Sequence, residues 1–339
     1  MTEVRSMRLR VSTVVAETAE ACSVVFDADL DYRPGQFLTV RVPSDECGSV
    51  ARCYSLSSSP STGEAPQVTV KRDGYASHWI CDHVTEGTEL EVLPPSGLFT
   101  PASLDADLAL FAAGSGITPV LSIVKSVLAA GRGAVTLVYA NRDERSVIFA
   151  DALRELALAH PGRLTVVHWL ETLQGLPDPE RLRVLAAPLA DREAFVCGPR
   201  PFMAAVTTAL GELGVPRSRV HVEKFVSLEG NPFEAVADEA SAGDEAGEEP
   251  TALAVSLDGR EHAFAWPRRR RLLDLLLDSG LDAPYSCREG QCSACACRIV
   301  SGEVKMLNND VLDSDDIAEG IVLACQSLPL TDEVTISYE

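Results

Sequence analysis

Four cysteines toward the C-terminal end hold the most specific chemistry in this sequence. Cys287, Cys292 and Cys295 follow one another as C-x4-C-x2-C, and Cys325 stands apart beyond an intervening segment. Four thiolates in a three-plus-one spacing are what a two-iron, two-sulfide cluster requires: one short loop curls round the sulfurs with three ligands and a separate element delivers the fourth. Ser286, Gly290, Ser293 and Ala294 suit that loop, because small side chains and a glycine permit tight turns and leave backbone N–H groups to point at sulfur. The apolar run 321–324 reads as a buried strand that brings up Cys325. Zinc is the competing occupant, although structural zinc takes paired, short-spaced ligands. Cys297 lies outside the spacing and reads as a packed thiol or spare donor.

A second constellation suits a phosphate-bearing ligand. Gly114-Ser115-Gly116-Ile117-Thr118-Pro119 follows an apolar strand candidate at 108–113. Thr118 is expected to cap the ensuing helix and Pro119 to sit in its first turn, so the glycines bring backbone N–H groups to a helix N-terminus where a dinucleotide pyrophosphate can rest. The turn is not the full G-x-G-x-x-G fingerprint, and alone it reads equally well as a tight connection. Downstream, Tyr139-Ala140-Asn141-Arg142-Asp143-Glu144-Arg145-Ser146 bears on nucleotide choice. Arg142 and Arg145 could clamp a 2'-phosphate, whereas Asp143 and Glu144 would repel it and favour ribose hydroxyls. The balance points to NADH, with NADPH as the alternative.

The elements that must position these residues fall into three groups. Up to residue 102, apolar and alternating runs such as 37–42, 68–71 and 89–93 are punctuated by Pro, Gly and Ser, which predicts an antiparallel barrel. From 103 to 229, strand candidates at 108–113, 135–140, 164–170 and 194–197 alternate with helical stretches, the rhythm of a parallel α/β sheet. Residues 230–250 include EAVADEASAGDEAGEEP, acidic and small, which reads as a flexible tether. The cysteine-bearing region, 251–339, follows it. The chain is thus expected to be multidomain, α+β and α/β together.

Three motifs occurring in order give this chain a family. Arg52-Cys53-Tyr54-Ser55, Gly114-x-Gly116-x-Thr118-Pro119 and Cys197-Gly198-Pro199 resemble the R-x-Y-S, G-x-G-x-T-P and C-G-P motifs of the ferredoxin-NADP reductase superfamily. The C-terminal region resembles a plant-type ferredoxin of the β-grasp fold. By this resemblance the first domain binds FAD: Arg52 pairs with the pyrophosphate, Tyr54 lies against the isoalloxazine ring and Ser55 hydrogen-bonds near flavin N5. Val70-Lys71-Arg72 and Gly74-Tyr75-Ala76-Ser77 resemble the second FAD segment, in which Gly74 and Ser77 hold the phosphates. Cys197 would sit by the nicotinamide, where Gly198 and Pro199 let the ring approach the flavin. Hydride transfer from nicotinamide C4 to flavin N5 then depends on stacking, distance and exclusion of water. Glu223-Lys224-Phe225 resembles the E-x-F ending of related reductases, with Phe225 covering the flavin until nicotinamide arrives.

The order flavin, nicotinamide, ferredoxin resembles the reductase components of bacterial multicomponent oxygenases. Within them the stretches RCYSLSSSP, KRDGYASHWICDHVTEGTELEVLPPSG, YANRDERSVIF and PYSCREGQCSACAC are most similar to reductases of 3-ketosteroid 9α-hydroxylases, and phenylacetyl-CoA oxygenase reductases share the layout. The expected activity is electron transfer from NADH through FAD and the 2Fe-2S cluster to a separate terminal oxygenase, expected to be of the Rieske type. A redox-responsive interaction protein is the non-enzymatic alternative.

Charge and composition exclude other classes. A net charge of -21 over 339 residues opposes nucleic-acid binding. No apolar stretch approaches membrane-spanning length, and ten cysteines with no secretory signal point to a reducing cytoplasm rather than disulfides. The six histidines form no evident metal cluster. Asp310, Asp313, Asp315 and Asp316 are either a docking face for the partner or a solvated one. The run 268–271, four arginines, either touches the reductase body or begins the leucine-rich helix that follows, and the helix start is the favoured reading.

Overall fold

The computed structural model describes residues 6–228, 230–234 and 249–338. The tether expected at 230–250 lies largely outside these residues. The chain divides into two compact units, one made of Met7–Gly48 with Arg52–Phe225, the other built on Val226–Glu339.

The first unit begins with a curled antiparallel half-barrel. Its strands are β1 (Met7–Thr18), β2 (Ala21–Phe26), β3 (Phe37–Ser44), β4 (Gly48–Ser55), β5 (Gln67–Lys71) and β6 (Glu89–Ser96), in the order β4-β3-β6-β1-β2-β5, with helix α1 (Tyr75–His83) between β5 and β6. The curl originates in β1. Its first four residues pair with β6, the rest pair with β2, and register shifts after Val11 and Ala16 add the local twist that bends one strand across two partners. Val24, Phe26, Leu38, Val40, Val42, Val70 and Val92 are its buried apolar residues.

The same unit continues as a parallel sheet. Strands β7 (Leu108–Ala113), β8 (Val135–Asn141), β9 (Leu164–Leu170), β10 (Glu193–Cys197) and β11 (Val220–Glu223) lie in the order β11-β10-β7-β8-β9. Helices α2 (Ile117–Ala130), α3 (Ala150–Ala159), α4 (Glu171–Gln174), α5 (Pro179–Ala186) and α6 (Arg200–Glu212) connect them. All six residues of β7 are buried because apolar layers cover both faces of the sheet. Leu110, Val124 and Leu137 belong to one layer, Phe111, Val138, Val196 and Leu210 to the other. Chain order reverses between β7 and β10, so the carboxyl ends of these two strands flank the crevice where open α/β sheets bind ligands. Strand β11 was not anticipated: Val220-His221-Val222-Glu223 is too short and too polar to stand out as an apolar run.

One local expectation is corrected. Thr118 does not cap α2. A 3-10 turn over Gly114–Gly116 runs straight into the helix, which makes Gly116 the cap residue and leaves Thr118 in the first turn, its hydroxyl donating to the Ser115 carbonyl at 3.0 Å. No side chain caps α2; its first N–H group, that of Ile117, is taken within the turn by the Gly114 and Ser115 carbonyls.

The second unit carries β12 (Thr251–Leu257), β13 (Arg260–Trp266), α7 (Leu272–Asp278), β14 (Ala296–Ser301), β15 (Val304–Met306), α8 (Ser314–Ala318), β16 (Ile321–Leu323), β17 (Ser327–Pro329) and β18 (Glu333–Ser337). The main sheet has the order β13-β12-β18-β14-β16, with β12 and β18 parallel and the other pairs antiparallel; β15 and β17 form a separate ribbon. Leu272, Leu273 and Leu276 of α7 pack into a core with Trp266, Val255, Leu323 and Ile336, which is the β-grasp arrangement. The arginine run does not begin α7 but precedes it: only Arg271 reaches the cap position, while Arg270 pairs with Asp278 and Arg268 with Asp332. Asp313 and Asp316 form the capping box of α8, so two of the four acids proposed for docking have a structural task.

Among the described residues no helix is long and apolar enough to cross a membrane. Leu276 is fully buried at the centre of the second core. Leu276→Ala is therefore expected to destabilise the second unit by about 2–5 kcal/mol, read as a lower denaturant midpoint for its far-UV signal.

Candidate functional site

The carboxyl ends of β7 and β10 come together because residue 116 has no side chain. A Cβ there would lie 2.2 Å from the Cys197 carbonyl oxygen, inside any van der Waals contact, so only glycine lets the turn after β7 settle against the end of β10. Tyr139 of β8 reinforces the turn by donating its hydroxyl to the Gly114 carbonyl at 3.0 Å.

Above this junction opens a cleft of about 660 Å³. Of the residues singled out in the sequence, Lys71, Gly114, Gly198, Pro199 and Phe225 line it. Its charge is opposite to that of the chain: Lys71, Arg72, Arg200 and Lys224 face it against Glu20 and Asp73. In a protein of net charge -21 such a local cationic patch concentrates the field on an anionic ligand. Phe225 is 50% exposed, an aromatic ring left open at the cleft. Arg200 and Lys224 were not singled out in the sequence, although their neighbours Cys197-Gly198-Pro199 and Phe225 were.

Cys197 immediately precedes the lining residue Gly198 and is itself buried, paired in register with Ala112 on one side and Glu223 on the other. Burial, with Glu223 adding to it, pushes its thiol well above the ordinary range, so it stays protonated and inert as a nucleophile. Glu223 was quoted in the sequence only as part of a motif. Its surroundings desolvate the carboxyl and push it up to about 8, which keeps it neutral at physiological pH.

The other predicted residues are not among those that line the cleft. Arg52, Tyr54 and Ser55 are on β4; Ser55 is buried, and burial raises the Tyr54 phenol while the nearby Arg52 opposes the rise. Val70 is buried in β5, next to Lys71 at the cleft wall. Gly74 is the cap residue of α1, and Ser77 shapes the turn, its hydroxyl accepting from the Asp73 N–H at 2.6 Å and donating to the Gly74 carbonyl at 2.9 Å. Thr118 and Pro119 are buried in α2. Asn141 and Arg142 do not line the cleft. Asn141 is buried at the end of β8 with its amide nitrogen unsatisfied, and Arg142 stands between Glu20 and Asp143 at 3.6 Å from each. Asp143 in turn accepts the Ser146 N–H at 2.9 Å, so two of the charges read as nucleotide selectors, Arg142 and Asp143, are engaged with one another and with the loop.

In the second unit the four spaced thiols converge. Cys287 is within hydrogen-bonding range of Cys292 and of Cys325, and Cys325 also of Cys295. Contacts with Cys292 and Cys325, and the N–H groups of Glu289 and Gln291, hold the Cys287 thiol far below its ordinary range. Those two N–H groups reach Cys287 sulfur at 3.3 Å, the Cys287 N–H reaches Cys292 at 3.3 Å, and the Cys325 N–H reaches Cys295 at 3.5 Å. A cluster of largely buried thiols surrounded by inward N–H donors is the donor set that an anionic iron–sulfur cluster needs. Gly290 permits the loop: its φ is +84°, and a Cβ would meet the Asn308 carbonyl oxygen at 2.7 Å. Cys297 is buried on β14, its thiol raised by desolvation and by the neighbouring Cys295, with a hydrogen bond to Tyr338 opposing the rise. Among the described residues no His, Cys, Asp or Glu trio closes on a single metal ion.

Comparison with known proteins gives the same division of labour. The 2Fe-2S iron-sulfur cluster binding domain family matches residues 255–330, and the oxidoreductase NAD-binding domain family matches 110–208. The chain is 56% identical over 344 residues to the ferredoxin reductase component of 3-ketosteroid-9-alpha-monooxygenase from Rhodococcus rhodochrous, covering 98% of this chain and 97% of that one. It is 34% identical over 355 residues to a component of the 1,2-phenylacetyl-CoA epoxidase of Escherichia coli, covering 98% and 97%. The solved structure of phthalate dioxygenase reductase shares the fold, with a TM-score of 0.57 at 24% identity over 98% of both chains.

Two outcomes follow from the cleft. Gly116→Ala is expected to raise KM for NADH by about tenfold or more, the equivalent of 1–3 kcal/mol of overpacking, in steady-state reduction of an artificial acceptor. Glu223 binds its proton more tightly folded than unfolded, so stability should fall as pH rises from the ordinary 4.5 to about 8 and then level off. Glu223→Gln should flatten that slope in denaturant midpoints measured across the same pH range.

Proposed function

The chain belongs to the family of 3-ketosteroid-9-alpha-monooxygenase ferredoxin reductase components, and we propose that it supplies electrons from NADH to a separate terminal oxygenase that hydroxylates a steroid. The steroid rests on one observation, the 56% identity that extends over 98% of this chain. The protein is an oxidoreductase that uses a nicotinamide dinucleotide, FAD and a 2Fe-2S cluster. We divide it into an FAD-binding domain at 1–102, an NAD-binding domain at 103–229, a linker at 230–250 and a ferredoxin domain at 251–339.

When bound, FAD accepts electrons in pairs and releases them singly, and the cluster takes them one at a time. The residues present fit that task. Lys71, Arg72, Arg200 and Lys224 supply cations at the cleft for the dinucleotide phosphates, and Gly114 and Ser115 of the turn before α2 line the same cleft. Arg52 takes the flavin pyrophosphate, with Tyr54 and Ser55 toward its ring; Gly74 and Ser77 receive phosphate at the start of α1. Phe225, exposed at the cleft, covers the reacting face and excludes water until the nicotinamide displaces it. Cys197 and Glu223, both uncharged below about pH 8, keep the ends of β10 and β11 free of anionic charge. Cys287, Cys292, Cys295 and Cys325 hold the irons. NADH rather than NADPH is favoured by Asp143 and Glu144 beside Arg142.

We take the terminal oxygenase to be of the Rieske type and the compartment to be the cytoplasm, whose reducing thiol pool suits ten unpaired cysteines. Reconstitution tests the substrate. With NADH, this protein is expected to support product formation by a 3-ketosteroid-hydroxylating oxygenase component, and to support a phenylacetyl-CoA oxygenase more slowly; the reverse order would overturn the steroid reading. Cys292→Ser should abolish the cluster's visible and paramagnetic signals and all coupled turnover, while NADH still bleaches the flavin. Cys297→Ser should leave cluster and turnover intact, measured as iron content and coupled rate.

A further inference from the structure

Two cysteines outside the cluster meet behind the flavin segment. Cys22 on β2 and Cys81 on α1 are 59 residues apart in sequence, yet their sulfurs lie 3.0 Å from each other. The contact joins two elements of the half-barrel. Cys22 pairs in register with Val70 of β5, and the Cys81 thiol also approaches the Val70 carbonyl at 3.7 Å. Cys81 is one helical turn beyond Ser77. Neither thiol takes part in the electron path described above.

The two are unlike in reactivity. Cys22 is 8% exposed, whereas Cys81 is half-buried and reachable from solvent. The contact with Cys22 and the nearby Arg72, itself paired with Asp82 at 2.7 Å, lower the Cys81 thiol to about 7; Cys22 is pushed up by Cys81 and by burial. Glu17 and Asp82 are the carboxylates that act on the pair, both against ionisation. An accessible, partly ionised attacking thiol beside a protonated resolving thiol is the arrangement of a peroxide-responsive pair. A disulfide needs a sulfur separation of about 2.05 Å, so closing it takes a movement of roughly 1 Å.

We propose that Cys22 and Cys81 form a redox-active dithiol that a hydroperoxide oxidises to an internal disulfide. The Cys81 sulfur attacks the peroxide O–O bond, giving a sulfenic acid and one water. The Cys22 sulfur then attacks Cys81 sulfur and expels hydroxide, which leaves as a second water with the Cys22 proton. Two thiols and one hydrogen peroxide become one disulfide and two waters. The bond ties β2 to the helix that begins at Gly74, and dithiol reductants reverse it.

Peptide mapping of the full-length holoprotein tests this. After a few equivalents of hydrogen peroxide and alkylation of remaining thiols, trypsin leaves Cys22 in fragment 11–41 and Cys81 in fragment 73–125, each with a single cysteine. The expected result is the two fragments joined, about 2 Da lighter than their sum and separable by dithiothreitol. Cys22→Ser should instead trap a sulfenic acid on Cys81 that dimedone labels, and Cys81→Ser should leave Cys22 open to alkylation. Retained flavin absorbance shows that each variant is folded. Separate fragments alkylated at both cysteines, with oxidation only at exposed Cys47 or at the cluster thiols, would overturn the proposal.

Discussion

The nucleotide cleft depends on one close approach, the backbone at Gly116 resting against the Cys197 carbonyl. Two strands that follow different crossovers end side by side, and the turns after them, Gly114–Gly116 and Gly198-Pro199, share the space that side chains would otherwise take. A methyl group at 116 would force those turns apart. The approach closes over Cys197, whose burial keeps its thiol neutral.

Charge is distributed to serve two anionic occupants in a strongly acidic chain. Four cations line the cleft where phosphates would lie. Around the four thiols the protein uses backbone N–H groups instead of cationic side chains, since inward dipoles stabilise an anionic cluster without the desolvation cost of burying lysine or arginine. The surrounding acids are partly structural, as the Asp313–Asp316 box of α8 demonstrates.

Much of this was legible in the sequence, for identifiable reasons. The cysteine spacing encodes a loop geometry, and β7 matches its expected limits of 108–113 because a strand covered on both faces is continuously apolar; β9, a partly exposed edge strand, also spans its expected 164–170. Strand β11 was hidden by its polar alternation. The capping role expected of Thr118 followed residue preference, whereas the 3-10 turn over Gly114–Gly116 starts the helix earlier and takes up the Ile117 N–H itself. Arg200, Lys224 and Glu223 could not be ranked from sequence, because their significance comes from facing, or adjoining, a cleft assembled from distant segments. The Cys22–Cys81 contact likewise exists only once β2 and α1 are packed.

The central claim is that one polypeptide converts paired electrons into single ones. Anaerobic titration of the purified holoprotein with NADH tests it most directly, following flavin absorbance and the paramagnetic signal of the reduced cluster together. Full reduction should require about 1.5 equivalents of NADH per chain, two electrons for the flavin and one for the cluster, with both signals changing. A flavin that stays oxidised under excess NADH, or one that bleaches while the cluster stays oxidised, would contradict the account.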